Sequence, residues 1–213
     1  MPFKKKGHTR LRLAGFGLLA SALFNRRHRK GLGVLGMLAL AGSWLWHRAE
    51  KPMPPAALLS RQSLPPGSHI VEVGAGDFPW LAALGKLGPE LTVHAVSGTV
   101  PAAPAVWQQS IRDHIRHLQA HTHFEPVAAD ARTLPLDDRT AQLVVLHGVL
   151  DRFLSRETRR QVIVDAARVV KPGGRLLVGE PQFLSEAAAA MTEAGLTVTA
   201  DSGSWLVGAK PWG

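Results

Sequence analysis

Hydrophobic and polar positions change rhythm repeatedly after residue 68. His69–Val73 places Ile70, Val71 and Val73 around one acid, Glu72, in a short apolar run of strand length. Pro79–Leu87 follows with helical spacing and carries Pro in its first turn, where a missing N–H costs nothing. Leu91–Val96 predicts a second strand. Val106–Ala120 predicts a helix with Val106, Trp107, Ile111, Ile115 and Leu118 on its apolar side. Phe124–Ala128 and Ala141–His147 predict strands three and four, the latter with a continuous Leu143-Val144-Val145-Leu146 core. Arg156–Val170 predicts a helix that Lys171-Pro172-Gly173-Gly174 stops. Arg175–Gly179 reads as strand five and Ser185–Ala194 as a helix closed by Gly195. Leu196–Ala200 and Trp205–Ala209 flank Asp201-Ser202-Gly203-Ser204 as a hairpin.

Strands alternating with helices predict an α/β fold, a doubly wound, mostly parallel sheet covered on both faces. Ligands of such sheets bind beyond the carboxyl ends of the strands, at the point where strand order reverses. The first strand runs straight into Gly74-Ala75-Gly76, a turn in which the backbone can come close to a ligand. Together with three later stretches at suitable distances, the turn points to a nucleotide-type cofactor.

The segment before residue 52 follows a different pattern. Leu13–Phe24 and Gly31–Trp46 are apolar and alternate with basic clusters at Lys4–Lys6, Arg26–Lys30 and Arg48–Lys51. Residues 1–51 hold eleven Lys or Arg against one acid, Glu50, whereas residues 52–213 hold fourteen against fifteen. The formal charge of +9 therefore belongs to an arm, 1–51, and not to the domain, 52–213. Pro52-Met53-Pro54-Pro55 breaks the chain between them, and Ala56–Leu64 suits a lead-in helix. As a helix, 31–46 would be about 24 Å long, short of the roughly 30 Å hydrocarbon core. A surface-lying or re-entrant pair of helices keeps every basic cluster on one face. The expected partner of residues 1–51 is thus an anionic membrane surface, and the expected location is the cytoplasmic face of a membrane. A cleaved transit segment, a nucleic-acid arm and a tail packed on the domain remain as alternatives, and the Leu/Gly-rich stretches argue against nucleic acid.

The chain has no cysteine. Disulfides, thiolate metal sites and cysteine nucleophiles are excluded. His114, His117, His121 and His123 sit close in sequence, but their flanks suit an exposed helix end and no metal is expected there.

Four stretches resemble the class I S-adenosylmethionine-dependent methyltransferases, most closely the small-molecule group that includes quinone methyltransferases. They are Val71–Gly76, Ala129-Asp130-Ala131 with Leu134–Asp138 behind it, Ala141–Val149, and Ala167–Val178 with its Arg-Val-Val-Lys-Pro-Gly-Gly run. The resemblance covers roughly 56–213 and implies a seven-stranded Rossmann-like sheet with an antiparallel last strand. It implies S-adenosyl-L-methionine as cofactor, held by Glu72, Gly74, Ala75, Gly76, Ser97, Asp130, Ala131 and His147. Gly74 and Gly76 would let the backbone approach the methionine part, and Glu72 would hold its ammonium group. Asp130 would accept from the adenine amino group, the Ala131 N–H would donate to the ring, and His147 would line the methionine end.

Two positions depart from the family pattern. Phe78 replaces a third glycine, which predicts a wider turn or a helix standing further off. Ser97 takes the place of the acid that grips both ribose hydroxyls, and losing one charge-assisted hydrogen bond weakens binding by about ten- to a hundredfold. The implied reaction is methyl transfer to a small or lipid-like acceptor, with His147 or Asp151 as the base for an oxygen or carbon nucleophile. The rival expectation is a degenerate cofactor-binding or scaffolding module tethered to a membrane.

Overall fold

In the computed structural model, residues 54–75, 78–180, 182–201 and 205–212 are described. The arm, Gly76, Asp77 and the hairpin turn 202–204 lie outside them. The strands are β1 (His69–Val73), β2 (Thr92–Gly98), β3 (His123–Asp130), β4 (Ala141–His147), β5 (Val170–Gly179), β6 (Thr197–Asp201) and β7 (Trp205–Ala209). They form one seven-stranded sheet in the order β3-β2-β1-β4-β5-β7-β6. β1 pairs in parallel with β2 and β4, and β7 is antiparallel to both β5 and β6. This is the doubly wound Rossmann-like methyltransferase sheet, and the order reverses between β1 and β4.

The helices are α1 (Pro55–Leu59), α2 (Phe78–Leu84), α3 (Pro104–His117), α4 (Arg156–Val169) and α5 (Leu184–Glu193). Leu58 and Leu59 of α1 and Trp80 and Leu84 of α2 pack with Ile70, Val93, Leu143, Val145 and Leu177. Ile111 of α3 packs with Ala95 beside them. On the other face Val162, Ile163 and Ala166 of α4 and Ala187 and Met191 of α5 cover Val71, Val144, Leu146, Leu176 and Val178. The strict alternation of strand side chains sends each set to its own face.

Two segments differ from the sequence pattern. α2 begins at Phe78 and stops at Leu84, where the Leu84 carbonyl accepts from the Thr122 hydroxyl at 2.8 Å and the Gly85 carbonyl from the His121 N–H at 2.9 Å. The loop before β3 thus takes the carbonyls that another helical turn would use. At the other end of the domain, β5 starts directly at Val170, where α4 stops. Ala141 pairs with Val170 but Leu143 with Arg175, so Lys171–Gly174 form a bulge within the strand and not a loop before it.

That bulge is held from the C-terminal side. The Gly173 N–H donates to the Lys210 carbonyl at 2.9 Å, and the Lys210 N–H to the Gly174 carbonyl at 3.0 Å. Gly173 has φ +74 and lies against the Trp212 ring, which leaves no space for a side chain. The Lys210 ammonium donates to the Ala167 and Val170 carbonyls at 2.9 and 2.7 Å and caps α4. The family-specific Lys-Pro-Gly-Gly run therefore builds the amino end of β5, at the far end of the sheet from the turn after β1.

Residues 131–140, between β3 and β4, form no helix. Leu134 and Leu136 lie on the core instead, and Arg168 of α4 fastens them by donating to both of their carbonyls. Asp165 completes the fastening by accepting from the Leu134 N–H at 2.7 Å.

Candidate functional site

The carboxyl ends of β1, β2 and β4 meet at Gly74. The Gly74 and Ala75 N–H groups both donate to the Val96 carbonyl, at 2.9 and 2.8 Å. Gly74 has φ +97, and a β-carbon there would lie 2.6 Å from the His147 carbonyl oxygen. Gly98, at φ +83, meets the same crowding: its β-carbon would lie 2.7 Å from a Val149 methyl. Both glycines are demanded by strand ends that approach each other, before any ligand is considered. Glu72 is buried one residue from the end of β1.

Ser97 is 3% exposed, and its hydroxyl is turned toward β3. It donates to the Ala129 carbonyl and accepts from the Ala129 N–H, both at 3.1 Å. The same side chain stitches β2 to β3 across a register shift between Val96 and Gly98. A hydroxyl committed in this way has one acceptor position left for a ribose.

Asp130 ends β3 and is embraced by Arg132. Its Oδ1 accepts from the Arg132 N–H at 2.8 Å and from Nε at 2.9 Å, and Oδ2 accepts from Nη2 at 2.6 Å. The arginine holds the carboxyl below its ordinary range, and the opposing effect of burial is smaller. A carboxylate offers about four acceptor positions, so one on Oδ2 stays open for an amino group. The Ala131 N–H, by contrast, is already given to the Gly98 carbonyl at 2.9 Å. That bond must break before Ala131 can donate to a ring.

His147 ends β4 within an aromatic group. Its ring stacks on Trp205 at 5.5 Å and 13°, and Trp80 lies tilted at 6.1 Å. Trp205 in turn lies flat on Gly179, the register partner of His147, where any side chain would collide with it. Asp151 sits in the short 3-10 helix Leu150–Arg152 that follows, and it is exposed.

Sequence reasoning missed Glu180, which directly follows β5 and is 5% exposed. Its Oε1 accepts from the Val149 N–H at 2.7 Å and the Leu150 N–H at 3.2 Å. Burial raises its carboxyl above the ordinary range, the two N–H groups oppose that, and the charges of Asp151 and His147 reach it with opposite signs. The structure thus brings His147, Asp151 and Glu180 into one electrostatic neighbourhood. The signal available in the sequence was an acid at the carboxyl end of a predicted central strand.

The donor turn fits its group in part. Gly74 offers bare backbone, Asp130 keeps an acceptor, and they stand at the carboxyl ends of β1 and β3, on either side of β2. The pattern of a family described as "Methyltransferase domain" matches residues 71–178, half of the chain, from within β1 to near the end of β5. The chain belongs to that methyltransferase domain family. S-adenosyl-L-methionine is its cofactor.

Solved structures agree on the fold. A SAM-dependent methyltransferase from Aquifex aeolicus is 18% identical, with 76% of this chain and 94% of that chain covered and a TM-score of 0.57. The [4+2]-cyclase SpnF is 16% identical over 75% of this chain and 80% of its own, at TM-score 0.53. A protein from Bordetella parapertussis, described as a possible exported protein, is 15% identical over 99% of both chains, at TM-score 0.55. No curated protein matches the chain. Among the described residues, no helix is long and apolar enough to cross a membrane.

Proposed function

We propose that this methyltransferase domain transfers a methyl group from S-adenosyl-L-methionine to a small or lipid-like acceptor at a membrane surface. The observation that carries the proposal is that Gly74, Asp130 and His147 stand at the carboxyl ends of β1, β3 and β4, on one edge of the sheet and inside a matched methyltransferase span. When bound, the sulfonium donor supplies an activated methyl group. The protein's share is alignment and exclusion of water.

Each residue then has a task. Gly74, Ala75 and Gly76 receive the methionine part against backbone, and Glu72 holds its ammonium group. Asp130 takes the adenine amino group on its remaining Oδ2 position. Ser97 contributes a neutral hydroxyl at the ribose, and Ala131 contributes its N–H once the bond to Gly98 opens. His147, fixed by its stack on Trp205, faces the transfer point, and His147 or Asp151 removes the proton from an oxygen or carbon nucleophile. The apolar, basic arm favours an acceptor drawn from the membrane, such as a quinone precursor or a phospholipid headgroup, on the cytoplasmic face.

A second function has specific support. Ser97, Ala131 and most of Asp130 are already committed within the protein, which suits a cofactor-binding or scaffolding module without turnover. The two part in an assay of the full chain with donor labelled in its methyl group and a membrane lipid extract. Label in a lipid product supports transfer. Donor that binds but yields no labelled product from any lipid or quinone precursor supports the module.

A further inference from the structure

We propose that Glu180 is a positioning residue of the donor site: its carboxylate clamps the segment Gly148–Arg152 across the carboxyl ends of β1 and β2. The proposal rests on the donor-binding function above and assigns a task to a residue outside it.

Gly148–Arg152 leaves β4 and folds toward β1 and β2. Its first peptide groups would otherwise be without acceptors, as at the start of any short helical turn. Glu180 supplies one oxygen to both Val149 and Leu150 from beyond β5. With those groups fixed, Val149 is fully buried and stands against Gly74 and Gly98. Arg152 then reaches the Gly148 carbonyl through Nε at 3.2 Å and the Ser97 carbonyl through Nη1 at 3.4 Å. One carboxylate just beyond β5 therefore sets a strap that touches the ends of β1 and β2, the two strands that carry the donor turn and the ribose position. A neutral acceptor could hold the same two N–H groups, so the task is positional and glutamine should perform most of it.

The test measures S-adenosyl-L-methionine binding to the full chain by calorimetry, alongside thermal unfolding. Glu180→Ala should weaken donor binding by about tenfold or more, the equivalent of roughly one charge-assisted hydrogen bond. Glu180→Asp, which withdraws the same charge from reach, should behave like alanine, and Glu180→Gln should restore affinity to within about threefold. Lys210→Ala serves as a stability control, because it uncaps α4 at the far end of the sheet from the strap. It should lower the unfolding temperature and leave donor affinity unchanged. Wild-type affinity in a folded Glu180→Ala or Glu180→Asp chain overturns the clamp alone. An equal loss of affinity in Lys210→Ala also overturns it. Failure of the unaltered chain to bind donor overturns the donor-binding function and the clamp together.

Discussion

His94 shows how single side chains on the sheet respond to pH. Its Nε2 lies 3.0 Å from Nδ1 of His69 on β1, and its Nδ1 lies 3.0 Å from Glu125 on β3. His123, also on β3, flanks the same carboxylate at 3.4 Å. Glu125 accepts from Nδ1, and in neutral His94 the Nε2 is then the acceptor that faces His69. Burial is the main reason its ring protonates below its ordinary value of 6.5, with the charges of His69 and His123 adding to this and Glu125 opposing. The unfolded chain therefore binds a proton more readily, and stability falls as pH drops below 6.5. The unfolding temperature of His94→Gln, compared with the parent from pH 7.5 to 5, should fall less steeply; identical slopes would contradict this account. Gly74→Ala tests crowding at the same scale. At φ +97 and 2.6 Å from a carbonyl oxygen, the added carbon should lower stability by about 2 kcal/mol or more in denaturant unfolding. The glycine was legible in the sequence, but its contact with His147 was not, because nothing local to β1 encodes where β4 ends.

At the level of elements, β1 and β4 have the same bounds in sequence and structure. Their apolar runs are buried on both faces, so no competing periodicity blurs them. The amino end of β5 was less legible. Proline and two glycines read locally as a stop, and only the pairing of Gly173 and Gly174 with Lys210, a long way along the chain, turns them into a strand bulge. Lys210→Ala removes the ammonium that caps α4 and should lower stability by about 1–3 kcal/mol, measurable by chemical denaturation with donor affinity unchanged. α4 and α5 offer a second check. Arg159 is 8% exposed and takes both oxygens of Glu186 while its guanidinium lies 4.3 Å from the Phe183 ring centre. Glu186→Ala leaves that cation short of its partner, and a loss of about 2–3 kcal/mol is expected.

For the whole molecule, the division of charge was plain from the sequence: a basic segment over 1–51 and a nearly neutral domain after it. Each Lys or Arg near an anionic surface contributes about 1 kcal/mol of attraction, which salt weakens. The full chain should co-sediment with phosphatidylglycerol vesicles at low salt and less at high salt, and the form lacking residues 1–51 should stay in solution; equal pelleting of both forms would remove the membrane assignment. The donor site was legible as a set of strand ends but not as a set of bonds. Glycines and Asp130 announce themselves by position, whereas the commitments of Ser97 and Ala131 to neighbouring backbone depend on how β2 and β3 meet, and that of Asp130 on the turn that brings Arg132 back to it. The central claim is that these ends still receive the methyl donor. Calorimetric titration of the full chain with S-adenosyl-L-methionine tests it most directly. Saturable, one-to-one binding at submillimolar donor is the predicted result, and no detectable binding at millimolar donor would contradict it.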